Sequence, residues 1–91
     1  MGKVFDWDKE KNQKLLSDRG ISFETVVAMI EEENILAVVP GAGRFAHQKQ
    51  FIIAIRDYVY FVPFVENDNT VFLKTIIPSR KLTKLYLSGE L

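Results

Sequence analysis

The side chains with chemistry to offer are mostly basic. The stretch FLKTIIPSRK at 72–81 sets Lys74 inside an apolar run and places Arg80 and Lys81 just past Pro78. Arg44, His47 and Lys49 surround a loop with two glycines, and Arg56 stands at a tight turn. A guanidinium matches the paired oxygens of a phosphate, and an ammonium supplies a point charge. His47 is the one histidine, and an imidazole exchanges protons near neutral pH. Together these groups suit binding of a phosphate ester and acid–base chemistry on it. Lys74, in mid-strand, must reach water or a ligand, because an unpaired charge is costly to bury. That predicts a groove or a rim, or else a lysine that blunts a sheet edge. Phe45, Phe51, Tyr58, Tyr60 and Phe72 can stack on bases or fill a core.

Other chemistries are excluded by what is missing. The 91 residues contain no cysteine, so there are no disulfides, thiol nucleophiles or thiolate metal sites, a composition that suits the cytoplasm. One histidine cannot build a His-based metal cluster. Asp6 and Asp8 precede a helix and read as caps rather than metal ligands. PGAGRF at 40–45 lacks the lysine and following helix of a phosphate loop, and no nucleophile-elbow pattern occurs. No metal and no cofactor are expected. No apolar run reaches the roughly 18–20 residues of a membrane span, and the opening MGKVFDWDKE has no signal-peptide core. Asp6 stands where a myristoylation motif needs Ser or Thr. A cytoplasmic protein without membrane contact is the expectation.

A chain of this length supports one domain, spanning 1–91, with one modest core. Its 47% apolar and 26% charged residues are those of an ordinary globular protein. Net charge is zero, but residues 1–33 carry eight acids against five bases, and 34–91 carry seven bases against four acids. The second half is therefore the expected working face.

The elements that must position these residues follow from periodicity. Asp6 or Asp8 caps a helix through Asp18, closed by Gly20. Ser22 caps a second, in which Phe23, Val26, Val27 and Ile30 fall on one face. Three glutamates, 31–33, crowd its negative end and favour a stop near Asn34. Strands are predicted at 35–39, 50–55, 58–64 and 71–77, with a short one possible at 3–5 and a hairpin at Arg56-Asp57. Pro63 cannot donate to a ladder, which predicts an edge strand or a bulge. A last helix starts after Ser79, with Leu82, Leu85 and Tyr86 on its apolar face.

The fold class is therefore α+β: two N-terminal helices packed on an antiparallel meander of four or more strands, with a short C-terminal helix. The expected core contains Phe23, Val26, Val27, Ile30, Ile53 and Phe61. In 58–65 both the Tyr58, Tyr60, Val62, Phe64 row and the Val59, Phe61, Val65 row are apolar. A sheet buried on one side should alternate. The second side calls for a partner, a second copy of the chain, or the C-terminal helix.

FDWDKEKNQKLLSDRGISFETV and KTIIPSRKLTKLYL resemble the BrnT-like toxins of bacterial toxin–antitoxin modules. The resemblance rests on Phe5-Asp6-Trp7-Asp8, Lys11-Asn12, Arg19-Gly20-Ile21-Ser22-Phe23-Glu24, and Ile76 through Lys81. It spans nearly the whole chain. It implies a compact RelE-type α+β fold, metal-independent RNA cleavage by 2′-hydroxyl attack, and a cognate antitoxin as partner. Carried over by position, Arg80 and Lys81 match the family's Arg-Lys pair. A basic residue usual one step before the Ile-Ile pair is Thr75 here, with lysine at 74, and a regular strand would turn those two to opposite faces. The expected catalytic set is Arg80, Lys74 and His47, with Lys81, Lys49, Arg44 and Arg56 binding RNA. The other reading is a family member without activity that binds protein or nucleic acid. Convergence of Lys74, Arg80 and His47 on one cleft separates the two.

Overall fold

Asp8, not Asp6, starts the first helix. In the computed structural model, which describes residues 3–41, 43 and 48–88, the Asp8 carboxylate accepts from the N–H groups of Glu10 and Lys11 at 2.9 and 3.3 Å. Those donors have no partner within the helix. Helix α1 (Lys9–Arg19) ends at Gly20, whose φ of 71° is the left-handed cap that favours glycine. Asp6 belongs instead to strand β1 (Val4–Trp7), slightly longer than the 3–5 expected. Helix α2 (Phe23–Glu31) is capped by Ser22, which accepts from Thr25 N–H at 3.3 Å. It closes in a Schellman turn, with Asn34 N–H donating to Met29 O at 2.8 Å and Glu33 N–H to Ile30 O at 3.0 Å. Glu33 takes the left-handed position there, at φ 59°.

Five more strands follow: β2 (Ala37–Pro40), β3 (Lys49–Ile55), β4 (Tyr58–Glu66), β5 (Thr70–Leu73) and β6 (Ile77–Pro78). The order is β1-β5-β4-β3-β2, and β6 continues along β4 on the side of β5. Pairing is antiparallel except between β1 and β5, where Val4 lies opposite Thr70 and Trp7 opposite Leu73. Arg56 and Asp57 both adopt positive φ, 55° and 66°, giving the mirror-image turn that a two-residue hairpin favours. Helix α3 (Arg80–Thr83) runs on into a π-helical turn, Lys84–Ser88.

The register divides the sheet into two faces. Phe51, Ile53, Val62, Phe64, Val71 and Leu73 share the inner face and pack with Leu15, Ile21, Phe23 and Val26 beneath the helices. Val27 and Ile30 are partly buried against this core. Phe61, expected in the core, lies on the outer face and is only half-buried. Ile52 and Val59 are buried on that outer side. There α3 is tied to β4 by Ser79 N–H to Val59 O at 3.0 Å and by Val59 N–H to Thr83 Oγ1 at 2.9 Å. The apolar face expected on the last helix is mostly left open: Leu82 is half-buried, whereas Leu85 is 68% exposed and Tyr86 and Leu87 are exposed too. Among the described residues no helix is long and apolar enough to cross a membrane.

Candidate functional site: a groove at a bulge in the outer sheet face

The strand predicted over 71–77 is broken, and the break builds the site. Leu73 pairs with Phe64 and Ile77 with Phe61. Between them three residues, 74–76, face two, 62 and 63, so one residue is extra and the strand bulges. Pro63 explains the position. It sits in an interior strand, not at an edge, and cannot donate across the ladder. Its carbonyl still accepts from Lys74 N–H at 2.8 Å. Beyond the bulge the alternation has shifted by one. Ile76 turns inward, 1% exposed, and Ile77 turns outward beside Phe61.

The outer face at this bulge holds a depression of about 290 Å³ lined by Gln48, Phe61, Pro63, Lys74, Thr75 and Ile77. Its floor is apolar. Lys74 is exposed, with Nζ 5.6 Å from the centre of the Phe72 ring. A cation over an aromatic face is attracted by the ring's quadrupole, which holds the ammonium at the rim of the groove. Lys74 and Thr75 both line it. The opposite facing expected from a regular strand is cancelled by the bulge.

The other predicted residues scatter. Arg80 and Lys81 are exposed at the start of α3, shortly after β6, and are not among the residues lining the groove. Lys49 belongs to the inner-face register and pairs with Glu66 at 3.4 Å. Lys3 meets the same carboxylate at 2.6 Å. The hydrogen bond from Lys3, with that charge and Lys49 behind it, holds the Glu66 carboxyl below its ordinary value. Arg56 sits in the hairpin turn, and a Cβ added at Gly20 would lie 3.7 Å from its Nη1. Arg44 and His47 lie outside the described residues.

Phe61, Pro63, Thr75 and Ile77 were not expected at a site. Phe61 reads as core from its apolar type, and nothing in the sequence marks the bulge except Pro63 on the facing strand. Conversely, the most motif-like residues are structural. Asn12 Nδ2 donates to Glu24 at 2.8 Å, while its oxygen accepts from Phe23 N–H at 2.7 Å. Trp7 stacks on Phe23 with ring centres 5.8 Å apart. Arg19 Nη1 donates to the Ile76 carbonyl at 3.0 Å. The Asn12 hydrogen bond is also the main reason the Glu24 carboxyl sits below its ordinary value.

No family model and no curated protein matches this sequence. Among solved structures, the chain is similar to a histidine-to-glutamine mutant of YafQ from E. coli. The TM-score is 0.53 at 10% sequence identity, over 89% of this chain and 98% of that one. The fold is thus the α+β arrangement expected from the sequence, and it is similar to that of YafQ.

Proposed function

We propose that this protein is the toxin of a bacterial toxin–antitoxin pair and cleaves RNA without a metal ion at the bulge groove. The observation that carries the reading is the Lys74 ammonium, held over Phe72 at the rim of an apolar groove in a RelE-like fold. An apolar floor with a cation beside it suits a nucleotide, with the base on Phe61 and Pro63 and the phosphate at Lys74. The BrnT-like pattern of the sequence supports the finer assignment, and a cytoplasmic antitoxin is the expected partner.

In the reaction the 2′-oxygen attacks the neighbouring phosphorus. The O2′–P bond forms and the P–O5′ bond breaks. One proton leaves the 2′-hydroxyl for a base, and another reaches the departing 5′-oxygen. Lys74 stabilises the charge that develops on the phosphorane oxygens, commonly the largest contribution to such catalysis. Arg80 and Lys81 hold the flanking phosphate, with Arg44 and Arg56 giving additional positive charge. His47 is the proton carrier. Lys49, turned to the inner face, is withdrawn from this set. A second reading, a binding module without activity, draws on the position of Arg80 and Lys81 outside the groove lining.

Purified protein and single-stranded RNA in EDTA test the assignment. Cleavage should leave 2′,3′-cyclic phosphate ends. Lys74→Gln and Arg80→Ala should each lower the rate at least tenfold, about 1.4 kcal/mol of transition-state stabilisation. A variant that cuts undiminished removes the role given to that residue. RNA that is bound but never cut selects the binding module.

A further inference from the structure

We infer that an RNA strand seated in the groove continues over the bulge at Thr75 onto a basic strip of helix α1 formed by Lys11, Lys14 and Arg19. The inference rests on the reading of the groove as an RNA site. Thr75 is the pivot. It lines the groove on the outer face, and it also lines a second depression of about 240 Å³ together with Lys11, Lys14, Leu15, Asp18 and Arg19. The two hollows meet at one residue, at a place where the sheet has no further strand outside β6. A chain molecule leaving the groove past Lys74 therefore passes directly onto α1.

The strip has the charge for a phosphate backbone. Lys11 and Lys14 are exposed, and neither ammonium has an ion-pair partner among the described residues. Three residues apart on a helix, they stand on one face about 5–6 Å apart at Cβ, comparable to the spacing of neighbouring phosphates. Arg19 already gives one N–H to the Ile76 carbonyl, which fixes its guanidinium and leaves the remaining donors for a ligand. Asp18 is the one acid in the lining, against three cations. Continuity with an apolar, base-sized groove favours RNA over an acidic polypeptide as the occupant.

Binding, not cleavage, decides the proposal, so its failure and that of the catalytic reading can be told apart. Lys11 and Lys14 are surface positions, and Gln keeps the helix propensity of Lys, so Lys11→Gln/Lys14→Gln should fold. It should bind a single-stranded oligomer of about ten nucleotides about tenfold more weakly than wild type. It should bind a dinucleotide, which fills only the groove, as wild type does. The dependence of log K on log[salt] should flatten by about 1.4, at about 0.7 for each phosphate that the two lysines no longer neutralise. Lys9→Gln, on the same helix but outside the strip, should match wild type. The proposal is overturned if the double variant binds the oligomer like Lys9→Gln, or if both RNA lengths lose affinity equally. It is also overturned if poly-glutamate rather than RNA loses affinity, which would give the strip to an acidic protein, or if the wild type binds no RNA.

Discussion

Asn12 bonds in both directions, to the Glu24 carboxylate and from the Phe23 N–H. It thereby joins the first turn of α1 to the first turn of α2 and fixes the angle at which both helices meet the sheet. Asn12→Ala leaves the part-buried Phe23 donor without its acceptor, and should lower stability by about 1–3 kcal/mol, measured by urea denaturation. RNA affinity should not change, because Asn12 lines neither hollow. The same residue sets a pH dependence. Glu24 and Glu66 have folded-state values below the ordinary 4.5, so their stabilisation is fully present above that value and is lost as pH falls through the depressed values. Urea midpoints should therefore hold between neutrality and about pH 5 and fall below about 4.5. Asn12→Ala, which removes the main cause of the Glu24 shift, should lose less over that acid range than wild type.

At the scale of elements, α2 ends on a residue poorly suited to its place. Glu33 occupies the left-handed position of the Schellman turn without being glycine, and it carries negative charge at the negative end of the helix. Glu33→Gly should raise stability by about 1 kcal/mol, read as a higher denaturation midpoint. The bulge makes a less obvious prediction. Removing Thr75 leaves two residues facing two between Leu73 and Ile77, with Ile76 still inward and Ile77 still outward. The deletion should keep the native near-UV spectrum and cooperative unfolding, yet weaken binding of long RNA. Deleting Phe72 would instead turn Leu73 out of the core and should unfold the chain. Helices, hairpin and caps were legible because Asp8, Gly20, Ser22 and Ser79 act through bonds to their own neighbours. Lys74 at a groove was legible because a mid-strand charge must reach solvent. The bulge was legible only in part: Pro63 pointed to an edge or a bulge, but only the pairing on either side of it places the extra residue in the facing strand. Register, not residue type, decides the face on which Lys49 lies.

For the whole molecule, the exposed sheet edges are blunted. The Asp6 carboxylate accepts the Trp7 N–H at the end of β1 at 2.8 Å, Arg19 donates to the Ile76 carbonyl before β6, and Pro40, without an N–H, closes β2. Edges treated in this way resist strand addition. What is open is side-chain surface: Val4, Leu16, Leu36 and Val38 at other places in the chain, and the groove with Leu85, Tyr86 and Leu87 past α3. Self-association of the free chain should therefore use this apolar surface, most simply as a two-fold dimer. Light scattering should show a mass that rises with concentration, and Leu85→Lys/Leu87→Lys should return it to the monomer. A wild type that stays monomeric throughout would refute this.

The parallel pairing of β1 with β5 bears on when the groove can form during synthesis. Val4 finds its neighbour Thr70 only after most of the chain exists, and the loop to be closed is long. Such non-local sheets fold slowly compared with helical proteins of like size. The residues of the groove are divided between β4 and the bulge after β5, and α3 follows later still. Ribosomes extend chains at about 5–20 residues per second, so for several seconds a nascent chain carries the residues of both N-terminal helices but not those of the groove. On the proposed toxin reading, an antitoxin translated nearby has that interval in which to meet the chain.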